Sequence, residues 1–259
     1  MAVLLIVTSC SRVPITGRRQ VNLLPENMLV GMALTNYQEF LSENPPLPDA
    51  DPRQQQVRRV GNRIASAVNQ YLIDHDQADR VEHFQWEFNV VEDDAVNAWA
   101  MPGGKVMFYT GILPVTHDED GLAVVMSHEI AHAVARHGNE RMSQQLLLVL
   151  GAVSLDVALR ERPEATRDIF LMAYGVGGTL GTLHYSRRHE LEADRLGMIF
   201  MAMAGYDPGA AIDFWQRMAD QATGPRPPEI VSTHPSDRRR INQVKEFLPR
   251  AMEYYQPYQ

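Results

Sequence analysis

Apolar residues recur along this chain with two periods, and the switch between them divides it into elements. Val57, Val60, Ile64, Val68 and Tyr71 are spaced by three or four positions, which predicts an amphipathic helix from Pro52 to about Leu72 packed on a core. Upstream, Pro25-Glu26 opens a helix to about Leu41, and Asn44-Pro45-Pro46-Leu47-Pro48 ends it. The period then becomes two. Phe84, Trp86, Phe88 and Val90 alternate with polar neighbours, the pattern of a half-buried strand. The stretches 95–101 and 105–110, joined by Pro102-Gly103-Gly104, predict two further short strands that complete an antiparallel sheet. Helical spacing returns in one long helix from Asp118 to Leu150 and again around His189 to Gly197. Gly205-Tyr206-Asp207-Pro208 ends the latter, and Pro208 begins a helix to about Gln221. Ser236 looks like the cap of a last helix with Ile241, Val244 and Leu248 on its inner face. The pattern as a whole is α+β and mainly α-helical, with a small antiparallel sheet of about three strands packed on the helix from Asp118.

Composition narrows this picture without redrawing it. The 259 residues are 45% hydrophobic and 22% charged, an ordinary globular balance with enough apolar mass for a substantial core. A net charge of −8 argues against nucleic acid as a partner, because such proteins carry a basic surface. The apolar segments near residues 146–159 and 169–183 are interrupted by Asp156, Arg160 and four glycines, too broken to span a bilayer. The chain divides into an apolar leader at 1–9, a tether at 10–24 containing Thr16-Gly17-Arg18-Arg19-Gln20, one domain at 25–250 and a tail at 251–259. The leader ends in Val7-Thr8-Ser9-Cys10 and resembles a bacterial lipoprotein signal peptide, which implies a lipid on Cys10 and a membrane anchor.

The chemistry is concentrated in His128-Glu129-Ile130-Ala131-His132. On a helix, residues four apart lie on one face, so His128 and His132 aim two imidazoles at one point, as a tetrahedral zinc requires. Glu129 then reaches a water as general base. A catalytic zinc takes a third protein ligand. Glu190, Glu192, His189, His184 and His234 are all candidates by type, and spacing does not choose among them.

Four segments together resemble the HtpX and CAAX-prenyl-protease family of zinc metallopeptidases, peptidase family forty-eight of the gluzincin type, in its periplasmic lipoprotein branch. They are Asn97-Ala98-Trp99-Ala100-Met101-Pro102-Gly103-Gly104, the H-E-x-x-H run with Arg136-His137, Glu190-Leu191-Glu192-Ala193-Asp194-Arg195, and Thr233-His234-Pro235. The resemblance implies a zincin-like catalytic domain holding one zinc ion, with Glu190 as third ligand. It implies Asp194 as the partner that orients a histidine ligand; His137 and Arg136 are expected, from their place after the motif, to brace the helix through hydrogen bonds or else to be exposed polar residues. It also implies a substrate strand lying along Asn97, Ala98, Trp99 and Ala100, beside Gly103 and Gly104. His234 is expected to donate to the developing oxyanion or to occupy the open zinc position at rest, the alternative being that it simply packs in its Pro-rich loop. The expected function is a zinc endopeptidase acting on unfolded or misfolded envelope proteins in protein quality control. Its expected location is the periplasmic side of the outer membrane of a bacterium, with the outer-membrane assembly machinery as a partner. The alternative is a chaperone-like or assembly lipoprotein that keeps the fold without cleaving.

Overall fold

The computed structural model describes residues 10–150, 163–174, 186–222 and 238–257. An antiparallel hairpin, β1 (Cys10–Arg12) and β2 (Arg19–Val21), comes first. Helices α1 (Glu26–Glu43) and α2 (Pro52–Asp74) follow. The Asp51 carboxylate accepts from the Arg53 amide at 2.8 Å and Pro52 sits in the first turn, which together fix where α2 begins. Val57, Val60, Ile64, Val68 and Leu72 form its buried face.

Three strands, β3 (Glu87–Val91), β4 (Ala98–Met101) and β5 (Lys105–Tyr109), make a sheet in the order β3-β5-β4. The small sheet and the α+β class hold, but the pairing is mixed: β4 runs antiparallel to β5 while β3 runs parallel to it. The cause is local. The amides of Gln85 and Glu87 donate to the carbonyls of Gly103 and Gly104 at 2.8 and 3.0 Å, pinning the start of β3 beside the start of β5. The strand is also buried rather than half-buried, because helices cover both faces of the sheet. Phe88, Val90, Ala98, Ala100, Val106 and Phe108 share one core with α2 and the segment after Asp118. Trp99, Met101 and Met107 share another with α1, Met142, Leu146 and Phe170.

The single helix predicted from Asp118 to Leu150 is two: α3 (Glu119–Val134) and α4 (His137–Leu150). Arg136 stands between them with φ 56°, a left-handed conformation that no α-helix accommodates. Its side chain explains the break, donating to the carbonyl of Asp79 at 3.2 Å and pairing with Glu26 at 3.4 Å. Four more long helices follow, α5 (Pro163–Tyr174), α6 (Arg187–Met203), α7 (Ala210–Ala222) and α8 (Arg238–Met252), besides a single helical turn at Leu113–Thr116. No described helix is long and apolar enough to cross a membrane. The leader 1–9 and the apolar stretches 151–162 and 175–185 lie outside the described residues.

Candidate metal centre

Helix α3 is apolar nearly all round, and every residue from Gly121 to Val134 is buried, so it runs through the middle of the molecule. Asp118 starts it by accepting from the Gly121 amide at 2.8 Å, with Glu119 and Asp120 in the first turn. Helix α6 lies against α3. Gly197 permits this approach: a Cβ there would sit 3.1 Å from the His128 nitrogen. Ser186 caps α6 through the His189 amide at 3.2 Å, which sets the rotation of the helix and therefore where its carboxylates point.

Three ligand-type atoms meet between the two helices. His128 Nε2 and His132 Nε2 are 3.1 Å apart, and each lies 3.4 Å from an oxygen of Glu190. Ligands about 2.0–2.1 Å from a tetrahedral ion are separated by roughly 3.3–3.4 Å, so the spacing of these atoms fits a zinc-sized cation. All three residues are buried, and among the described residues they form the one such group of His, Cys, Asp or Glu. Burial opposes a charge on His128, yet hydrogen bonding to Asp194 and Glu190 raises its pKa to about 9. The donor set thus favours positive charge at this point, a preference that serves a metal ion as well as a proton. His132 behaves oppositely: burial drives its pKa well below the ordinary value, which keeps its lone pair available.

Each histidine is held from behind. His128 Nδ1 lies 3.1 Å from Asp194 Oδ1, and Arg240 grips the same carboxylate, with Nη2 2.8 Å from Oδ1. Arg240 also reaches Glu190 Oε2 at 2.9 Å, and its guanidinium lies 3.7 Å over the Trp215 ring. His132 Nδ1 lies 3.0 Å from His137 Nδ1, and His137 Nε2 lies 3.0 Å from Glu192 Oε2. Burial lowers the His137 pKa to about 4, so its ring is neutral with a single N–H. Glu192 can only accept, hence that N–H is on Nε2 and His137 Nδ1 accepts from His132 Nδ1. His132 Nε2 then carries no proton and turns its lone pair toward His128 Nε2 and Glu190 Oε1. The break at Arg136 makes this contact, because on a continuous helix residue 137 would point about 140° away from residue 132.

The remaining candidates are distributed as follows. Glu129 is buried on α3 next to His128, and its charge acts on Arg240. Glu192 and His189, both ligand candidates by type, face away from the centre: Glu192 toward His137, and His189 toward Glu140 at 3.1 Å. Ala98, Trp99 and Ala100 lie in β4 at the edge of the sheet, and Asn97 precedes it with its side chain accepting from the Ala98 amide at 3.0 Å. Gly103 and Gly104, at φ 83° and 81°, make room for the chain's own Val30 and Trp86 side chains. Cys10 pairs with Val21 in the hairpin register. His184 and His234 lie outside the described residues. Sequence reasoning missed Arg240, Trp215, Glu140 and the role of Arg18. An arginine six residues beyond a histidine-proline pair carries no spacing signal of its own.

Comparison with known proteins adds relatives to this geometry. The family model described as peptidase family M48 matches residues 52–248. A mitochondrial metalloendopeptidase OMA1 of Schizosaccharomyces pombe is 36% identical over 252 residues, covering 94% of this chain and 68% of the relative. The human mitochondrial metalloendopeptidase OMA1 is 29% identical over 250 residues, 93% of this chain and 46% of the relative. A beta-barrel assembly-enhancing protease of Yersinia pestis is 33% identical over 211 residues, 74% of this chain and 39% of the relative. The chain therefore spans about two thirds of the fission-yeast relative and less than half of the other two. The narrower likeness to HtpX and the CAAX-prenyl proteases is approximate, since these relatives bear other names. The expected outer-membrane location in a bacterial envelope is overturned: the yeast and human relatives are mitochondrial by name.

Proposed function

The chain belongs to peptidase family M48, and from that premise we propose that it is a zinc-dependent endopeptidase that cleaves unfolded or misfolded polypeptides. The observation that carries this reading is the set of three donor atoms, His128 Nε2, His132 Nε2 and a Glu190 oxygen, 3.1–3.4 Å apart beside a buried Glu129. When bound, zinc supplies Lewis acidity toward the scissile carbonyl and makes a water more acidic. Glu129 takes a proton from the attacking water and returns it to the leaving amine as the C–N bond breaks. Asp194 and His137 hold the two imidazoles in the tautomer that leaves each Nε2 bare. His234 is the proposed donor to the developing oxyanion, from the Thr233-His234-Pro235 run.

Substrate binding is assigned to β4, which among the described residues pairs with β5 on one side only. The side chains of Ala98, Trp99 and Ala100 are buried, so an added strand pairs with their main chain rather than reading their side chains. Only an extended segment can bind in this way, which selects unfolded chains over folded ones. The test compares wild type with Glu129→Gln on an unfolded substrate such as casein, with zinc content measured in both. The variant is expected to keep its zinc and lose about 10²- to 10⁴-fold in kcat. Equal activity would defeat the enzyme reading, and binding of casein by wild type without cleavage would favour the chaperone-like alternative.

A further inference from the structure

We propose that the N-terminal hairpin is part of the metal centre: Thr16 and Arg18 are positioning residues for the ligand His132, acting through Glu192 and His137. The inference rests on the metallopeptidase reading above.

The hairpin tip is built to deliver two polar groups to one carboxylate. Ile15 and Gly17 both adopt left-handed backbone, at φ 63° and 65°. Glycine does so freely, but a β-branched residue does not, so Ile15 is a true outlier within this turn. Such outliers persist where the surrounding contacts over-determine them, and they cluster at functional sites. The contacts at this tip are specific. Thr16 Oγ1 donates to Glu192 Oε1 at 2.6 Å, and Arg18 Nε donates to Glu192 Oε2. The other two nitrogens of Arg18 form a fork on Glu140, at 2.8 and 2.7 Å.

Glu192 is the residue on which the orientation of His137 depends. Its oxygens accept from Thr16, from Arg18 and from His137 Nε2, so the hairpin fixes the position of the one carboxylate that orients His137. His137 Nδ1 in turn receives the proton of His132 Nδ1. Side chains 174 residues apart in sequence are thereby joined to a metal ligand in three hydrogen-bonded steps. Val13 and Ile15 pack the hairpin on the core, but its polar contacts go beyond what covering the core requires. Its cation sits between two carboxylates, with side-chain exposures of 11%, 8% and 6% for Arg18, Glu140 and Glu192. An arginine fork matches that geometry, whereas the point charge of a lysine matches only part of it.

The test measures zinc affinity by competition with a chromophoric chelator, together with kcat and KM, in the full chain. Arg18→Ala is expected to weaken zinc binding about 10- to 100-fold and to lower kcat, with KM little changed. Arg18→Lys should recover part of both. Thr16→Ala, at an exposed position that the fold tolerates, should weaken zinc by about tenfold, while Thr16→Ser keeps the hydroxyl and the affinity. Arg19→Ala, on the exposed residue next to Arg18 at the start of β2, should change nothing. If Arg18→Ala fails to fold, the Thr16 pair decides. Wild-type zinc affinity in both alanine variants, or an equal loss in Arg19→Ala, overturns the proposal. A wild-type chain that binds no zinc overturns the metallopeptidase reading instead, whatever the hairpin variants do.

Discussion

The two histidines of the candidate metal centre occupy one face of one helix, yet their rear nitrogens meet different chemistry. His128 Nδ1 faces a full carboxylate, Asp194, which Arg240 holds in place. His132 Nδ1 faces a neutral imidazole, His137, and the carboxylate Glu192 stands one residue further out. The first arrangement comes from neighbouring helices and is short and strongly charged. The second is a relay that reaches across the molecule to the N-terminal hairpin. Two candidate ligands of one type are thus supported by separate machinery, one set by helix packing and the other by a chain of hydrogen bonds that a distant segment completes.

The largest change expected from breaking one side alone is at Asp194. Asp194→Ala removes the direct partner of His128 and takes one carboxylate partner from the buried Arg240. The loss should be on the order of 3 kcal/mol in stability, read by denaturant unfolding, with zinc affinity falling about 10- to 100-fold. A stability equal to wild type would mean that Arg240 finds its counter-charge elsewhere. A smaller effect, on the same side, is expected of Gly197→Ala. Alanine favours helix by about 1 kcal/mol over glycine, but the added Cβ meets the backbone of Ser127 and His128 at 3.1–3.2 Å. Backbone within a buried helix yields little, so a net destabilisation of about 1–3 kcal/mol is expected, with the gap between Glu190 and the two histidines widened. A more stable variant would show that the helices have room to part.

The smallest effect lies at the far end of the other side. Burial would raise the Glu140 pKa, but hydrogen bonds with His189 and Arg18 outweigh it and hold it at about 2, against an ordinary 4.5. A carboxylate depressed in this way contributes stability above its unfolded pKa and loses it as pH falls through its folded one. Glu140→Gln should therefore be less stable than wild type near neutral pH, and the difference should shrink as pH drops from 4.5 toward about 2. Unfolding curves at a series of pH values read this directly; a difference that does not change with pH would contradict the assignment.

The same contrast marks what the sequence makes legible. Residues four apart share a helix face, so the convergence of His128 with His132, and of Glu190 with Asp194, follows from spacing once each helix is recognised. Most helices and the three strands likewise follow from periodicity and from Asp, Ser, Pro and Gly punctuation. The break at Arg136 does not. Its left-handed backbone is secured by carbonyls near residue 80 and by Glu26, contacts that no local pattern displays. The parallel pairing of β3 is hidden for a similar reason, because it depends on amides meeting the Gly103 and Gly104 carbonyls across the sheet. Arg18 and Arg240 look like ordinary surface cations in sequence; distant carboxylates assemble around both, burying Arg240 and half-burying Arg18.

The central claim is that His128, His132 and Glu190 hold a metal ion, and direct metal analysis tests it most simply. Wild-type chain, dialysed against a mild chelator, is expected to retain about one zinc per molecule, while a folded His132→Ala, Glu190→Ala double variant retains none. A double variant that keeps its zinc, or a wild-type chain that never binds it, would contradict the account.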